Sequence, residues 1–196
     1  MLATETFSFF RAWLGDPLRV AAVAPSSTAL AQLITQDVSA ESGPVIELGA
    51  GTGAFSAMLL ERGVSEKNLA LVESRPDFVE RLQVRFPGLR VCRMDAEQLR
   101  EARLFAEASA GVVISGLPVI SMPPRKVVAI LSGAFGYLRP DGAFYQFTYG
   151  PRCPIPKALL DRLGLRAMCV GHTLRNIPPA SVYRITRRKS PMLARR

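Results

Sequence analysis

The chain has 196 residues, 48% of them hydrophobic, enough for one well-buried domain and too few for two large ones; a wholly disordered chain is excluded. A formal net charge of +9 and a pI of about 10.2 call for an anionic partner, either nucleic acid or an anionic membrane surface, unless the charge only solubilises. No run reaches the roughly 18–20 apolar residues of a membrane-spanning helix.

The first forty residues differ from the rest. FSFFRAWLGDPLRV reads as an amphipathic helix with Phe7, Phe10, Trp13 and Leu14 on one face and Arg11 and Arg19 available to anionic headgroups. Glu5 comes early and no basic leader precedes an apolar core, so no signal peptide is expected. Pro17 breaks the helix, and Pro25-Ser26-Ser27 starts a second one, TALAQLITQDV. Residues 1–40 are therefore expected to form a membrane arm or lid, and residues 41–196 the main domain.

From Pro44 onward short apolar runs alternate with helical stretches. The strands are PVIEL, NLALVES, LRVCRMD, GVVISGLP and GAFYQFTYG. The helices between and after them are FSAMLLERG, RPDFVERLQVRFPG, AEQLREARLFAEA, PPRKVVAILSGAFGYL and PKALLDRLG. RAMCVGHTLRN and SVYRITRR close the chain as strands without a helix between them. This order predicts an α/β fold: a doubly wound sheet of about seven strands, mostly parallel, with a C-terminal antiparallel hairpin. Cys92, Cys153 and Cys169 are odd in number and widely spaced, and His172 stands alone. Buried free thiols and no metal site are expected.

The stretch VIELGAGTG runs a strand into a turn with Gly49, Gly51 and Gly53 at alternate positions. Such a turn lets backbone approach a ligand, and the following helix offers free N–H groups. Glu73 ends the second strand about twenty residues on, where a carboxylate can accept from both ribose hydroxyls. Glu47 stands before the glycines, suited to a cationic ligand rather than a pyrophosphate, and the pattern is G-x-G-x-G rather than the dinucleotide G-x-G-x-x-G. Asp95 closes the third strand, placed to accept from an adenine amino group, to cap a helix, or to do both.

Across residues 44–188 these positions resemble the class I S-adenosylmethionine-dependent methyltransferases, which implies a Rossmann-like fold. The resemblance implies S-adenosylmethionine as methyl donor and S-adenosylhomocysteine as product. Contacts to it are expected from Ser26, Ser27, Glu47, Gly49, Ala50, Gly51, Gly53, Glu73, Ser74, Asp95, Ala96, Ser115, Gly116 and Leu117. Ser115-Gly116-Leu117-Pro118 fills the N/D/S-x-x-P loop of the amino-methylating members. Val119 follows it where adenine-methylating enzymes carry an aromatic residue to stack on a flipped base.

Nearly the full length is similar to the bacterial phospholipid N-methyltransferases, through FFRAWLGDPLRVAAVAPSS, SGLPVISMPPR, residues 144–152 and residues 174–184. That resemblance implies methylation of phosphatidylethanolamine towards phosphatidylcholine by a monomer bound peripherally to the cytoplasmic face of the membrane. Tyr145 and Tyr149 are then expected at the substrate amine, with Phe147 on the same strand face, and Arg152 and Arg175 at the lipid phosphate. Ser115, Tyr149 and His172 are the catalytic candidates, and His172 is also readable as a structural residue. Two other readings stand beside this one: an rRNA adenine N6-methyltransferase, and a non-catalytic basic membrane-binding module.

Overall fold

The computed structural model describes residues 26–176 and 178–188. The aromatic helix of the expected arm, with Phe7, Phe10, Arg11, Trp13, Leu14 and Arg19, lies outside the described residues. The apolar runs become seven strands: β1 (Val45–Leu48), β2 (Leu69–Glu73), β3 (Arg90–Arg93), β4 (Ala110–Ser115), β5 (Leu138–Tyr149), β6 (Leu165–Thr173) and β7 (Ala180–Arg187). Five α-helices accompany them: α1 (Ser26–Ile34), α2 (Ala54–Glu61), α3 (Pro76–Arg85), α4 (Pro124–Tyr137) and α5 (Lys157–Arg162). Pro76 and Pro124 open α3 and α4, where a missing N–H costs nothing.

The sheet order is β3-β2-β1-β4-β5-β7-β6. β1 to β5 are parallel, and β7 runs antiparallel to both β5 and β6. The chain winds outward from β1 to β3, then returns to place β4 on the other side of β1. The carboxyl ends of β1 and β4 thus flank the topological switch point, where open α/β sheets hold their ligands.

Alternation along the strands builds two cores. On one face Val45, Leu71, Ile114, Phe147 and Val182 pack with Leu30 and Ile34 of α1, Leu59 of α2 and Leu82 of α3. On the other, Ile46, Leu48, Val113, Phe144 and Ile185 pack with Val127, Ile130 and Leu131 of α4 and Leu160 of α5. Each such buried side chain contributes about 1.5–3 kcal/mol relative to exposure.

Three expectations need correction. The stretch 96–108 is not a helix: Asp95 starts a single 3-10 turn, Ala96–Gln98, and the chain then leaves helical geometry. The Tyr137 hydroxyl binds the Ala102 carbonyl, and Arg90 donates to the carbonyls of Arg103 and Leu104 (2.8 and 2.5 Å). Side chains brought from elsewhere thereby satisfy the main-chain groups that helical bonds would have used. Residues 30–38, read from sequence as part of the arm, belong to the sheet's own core through Leu30, Ile34 and Val38. Finally, Cys169 is exposed and Cys92 and Cys153 are half-buried, because Cys169 lies on the edge strand β6.

Candidate active site

β1 delivers the chain into the glycine turn at the switch point. Gly49, Gly51 and Gly53 all have positive φ (70°, 54° and 79°), conformations that L side chains rarely adopt. A Cβ on Gly51 would meet nothing nearer than the Gly49 carbonyl at 4.0 Å, so glycine is required there by backbone conformation and its surroundings stay open. Ala50 is buried beneath the turn.

Two carboxylates govern this turn. Glu73, at the end of β2, accepts from the Gly51 N–H through one oxygen (2.9 Å). Its other oxygen accepts from the N–H groups of Ser74 and Arg75 (2.8 and 2.9 Å). It is only 7% exposed, so these charge-assisted bonds lock the turn to the neighbouring strand. Glu47 is fully buried; its Oε2 accepts from Ser56 Oγ of α2 at 2.6 Å, while Oε1 has no partner among the described residues. Burial pushes the Glu47 carboxyl up to about 8, the Ser56 bond pulls it down, and the nearby Glu73 charge adds to the rise.

Asp95 caps the 3-10 turn by accepting from the Glu97 N–H (2.9 Å), and its other oxygen meets Lys126 Nζ of α4 at 2.5 Å. Burial alone would raise its carboxyl, but the Glu97 N–H and the Lys126 ammonium outweigh it and hold it low. Of the remaining residues expected at the donor, Ser74 is exposed, Ala96 is buried beside Asp95, and Ser26 and Ser27 open α1.

The Ser115–Pro118 loop leaves β4 directly against this turn. The Gly116 N–H donates to Leu48 O (2.8 Å), and a Cβ on Gly116 would lie 2.7 Å from the Gly49 carbonyl oxygen, so the two loops touch through backbone. Ser115 is buried and its hydroxyl accepts from the Leu117 N–H (3.3 Å).

Beyond that loop, β5 presents Phe147 and Tyr149 on the same face as Glu47. The Phe147 ring stands edge-on to Tyr149 (5.4 Å) and to Phe55 of α2 (6.0 Å). Burial raises the Tyr149 phenol above its ordinary range, and the Asn176 side chain hydrogen-bonds to it. Arg152 and Arg175 are exposed in the loops after β5 and β6, at the same carboxyl edge of the sheet. Neither forms an ion pair among the described residues.

Two expected residues are placed elsewhere. Tyr145 is 2% exposed and lies deeper along β5, where its hydroxyl donates to Asp37 (3.0 Å) and accepts from Arg184 (3.2 Å). Burial, with Asp37 adding and Arg184 opposing, pushes that phenol up to about 12, so it ties strands and the α1 exit together rather than facing a substrate. His172 pairs across the ladder with Ser181, which pairs in turn with Thr148, the neighbour of Tyr149 that faces the opposite side. Its ring bonds to Ser181 Oγ (2.8 Å) and approaches Cys169 Sγ (3.5 Å), so the structure does not bring it to Tyr149.

Sequence reading missed Ser56, Phe55, Lys126, Gln146 and Asn176. Ser56 and Phe55 lie just past the glycine turn and were within reach of a helical projection; the others are joined to the site only by tertiary contacts.

These residues suit a ribose-bearing methyl donor: open space at Gly51 and Glu73 at the β2 end, with a buried Glu47 oxygen left unpaired among the described residues. Residues 45–142, half of the chain, match the family described as "Methyltransferase domain", and the chain belongs to that family. A relative named ornithine lipid N-methyltransferase, from Singulisphaera acidiphila, is 28% identical over 186 residues, covering 91% of this chain and 94% of its own. Among solved structures, a TehB-like SAM-dependent methyltransferase from Corynebacterium glutamicum superposes with a TM-score of 0.62 at 15% identity, covering 95% of this chain and all of that one. The Burkholderia thailandensis 1,6-didemethyltoxoflavin-N1-methyltransferase, solved with S-adenosylhomocysteine, gives 0.61 at 16% identity over 94% of this chain and 89% of its own. These structures share the fold.

Proposed function

We propose that this member of the methyltransferase-domain family is an S-adenosylmethionine-dependent N-methyltransferase acting on the amine of a membrane lipid. Phosphatidylethanolamine and its methylated derivatives, on the way to phosphatidylcholine, are the proposed acceptors. The observation that carries the reading is the joining of a carboxylate-lined glycine turn to an aromatic, arginine-rimmed strand end across the Ser115–Pro118 loop. The name of the Singulisphaera relative supports a lipid amine as the acceptor class and makes ornithine lipid the second candidate.

Glu47, Glu73, the glycine turn and the Asp95 corner would hold the donor. When bound, S-adenosylmethionine supplies a methyl group activated by its sulfonium. The chain's own residues then position the acceptor. Tyr149, whose phenol burial makes harder to ionise, orients the amine through its hydroxyl. A quaternary ammonium product offers no N–H to bond, so the rings of Phe55, Phe147 and Tyr149 are the groups suited to it. Arg152 and Arg175 suit a lipid phosphate, and Ile120 and Leu174, both exposed aliphatics on loops at the same sheet edge, suit the acyl boundary. No described helix is long and apolar enough to cross a membrane. Peripheral attachment of a monomer to the cytoplasmic face, aided by Phe7, Phe10, Arg11, Trp13, Leu14 and Arg19 of the expected N-terminal arm, completes the reading.

The RNA alternative is disfavoured by Val119, a buried aliphatic where base stacking calls for a ring. The purified chain with labelled methyl donor, on vesicles containing either phosphatidylethanolamine or ornithine lipid, tests the proposal by lipid mass spectrometry. Methylated phosphatidylethanolamine is expected. Donor binding by calorimetry with no label in either lipid would sink it, and label only in ornithine lipid would replace the acceptor.

A further inference from the structure

We infer that Gln146 is a positioning residue for the transfer, setting the Ser115–Pro118 loop against the acceptor strand; this rests on the N-methyltransferase reading. Gln146 is fully buried on β5, in register between Ser115 of β4 and Tyr183 of β7. Its amide nitrogen donates to the carbonyls of Leu117 and Phe147, both at 2.9 Å. One bond reaches the loop beside the glycine turn, and the other returns to the strand that carries Phe147 and Tyr149. Both amide hydrogens are therefore used in linking the two halves of the site.

The amide oxygen is buried and has no partner among the described residues. An unpaired buried acceptor costs stability. An unbranched apolar side chain of the same length would fill the space without that cost. The Leu117 carbonyl would not be orphaned by its loss, because it also accepts from the Val119 N–H at 2.9 Å. Pairing of the Leu117 carbonyl gives no reason for an amide here; the link to the loop does. The loop is gripped from the far side too, since the Leu117 side chain fills the space a Cβ on Gly49 would need, 2.8 Å away. Gln146 therefore sets the distance between the rings that take the amine and the turn that takes the donor. A small displacement of reacting groups costs a transfer reaction much of its rate.

Two variants of the full chain test this. Gln146→Met should keep Tm within about 4 °C of the wild type and donor affinity within about twofold by calorimetry. Its kcat for the lipid amine should fall at least about tenfold while KM changes less than about threefold. Hydrogen exchange at the Val119 amide, read without acceptor, should accelerate about tenfold or more as the loop loosens. Gln146→Glu can donate to Leu117 only while its carboxyl is protonated, so the high-pH limb of its pH–rate profile should move to lower pH. Unchanged kcat and unchanged Val119 exchange in the Met variant would overturn the inference. So would activity lost only in proportion to Tm with an unmoved pH profile in the Glu variant. Should the Met variant not fold, the Glu profile decides. Faster Val119 exchange in a chain that methylates no lipid amine would sink the functional reading and leave standing only the link between Gln146 and the loop.

Discussion

The two sides of the switch point are built in opposite ways. On the donor side the Glu73 carboxylate is locked by three backbone N–H groups and Glu47 is sealed at zero exposure. On the proposed acceptor side Arg152 and Arg175 are exposed, Ile120 and Leu174 face solvent, and Phe55, Phe147, Tyr149 and Asn176 are held in place. A small, constant ligand suits a rigid pre-formed site. A headgroup delivered by a surface suits a rim whose energetics come from charge and apolar contact. Changes on the donor side should therefore be large and insensitive to salt, and changes on the rim small and salt-dependent.

The largest expected effect is at Glu47. Its proton is held more tightly in the folded chain, near pH 8, than at the ordinary value of 4.5. Stability is therefore fully present below the lower value and lost as pH rises towards the upper one, by up to about 5 kcal/mol. Glu47→Gln keeps an acceptor for Ser56 and removes that slope. Urea midpoints should match the wild type near pH 4.5 and exceed it at pH 8; parallel slopes would show that Glu47 does not titrate as a buried acid.

Glu73→Ala comes next. It strips the acceptor from Gly51, Ser74 and Arg75, bonds of a charged class worth about 1.5–3 kcal/mol each. Donor affinity by calorimetry should fall at least about 100-fold, equally at low and high salt, with the sheet still folded. Unchanged affinity would mean the turn is set by its glycines alone. The smallest effects belong to the rim. Arg152→Ala and Arg175→Ala should each weaken binding to anionic vesicles by about fivefold at low ionic strength and hardly at all at 1 M salt. A loss that persists in salt would move the arginine into the locked half of the site.

The same division governs what the amino-acid order revealed. Gly49, Gly51, Gly53 and Glu73 sit within one β-α-β unit, so spacing alone brought them together, and the alternation of runs gave the winding and strand count but not the strand order, which only the sheet pairing shows. His172 was misplaced because β6 carries an irregularity between Cys169 and Gly171, which shifts its register against β7. Tyr145 shares its strand face with Phe147 and Tyr149, as alternation requires, but Asp37 and Arg184, both distant in sequence, claim its hydroxyl. The stretch 96–108 has helical composition, yet Tyr137 and Arg90 draw its carbonyls away.

By itself the order of residues determined the α/β winding, the glycine turn and the carboxylates beside it, because these depend on local periodicity and short spacing. Tertiary structure alone decided that Glu47 is a sealed acid and that Lys126 occupies Asp95. It also decided that His172 faces away from Tyr149 and that Gln146 bridges the Ser115–Pro118 loop to β5. Burial and cross-strand partners are properties of the packed chain, and no spacing along it encodes them directly.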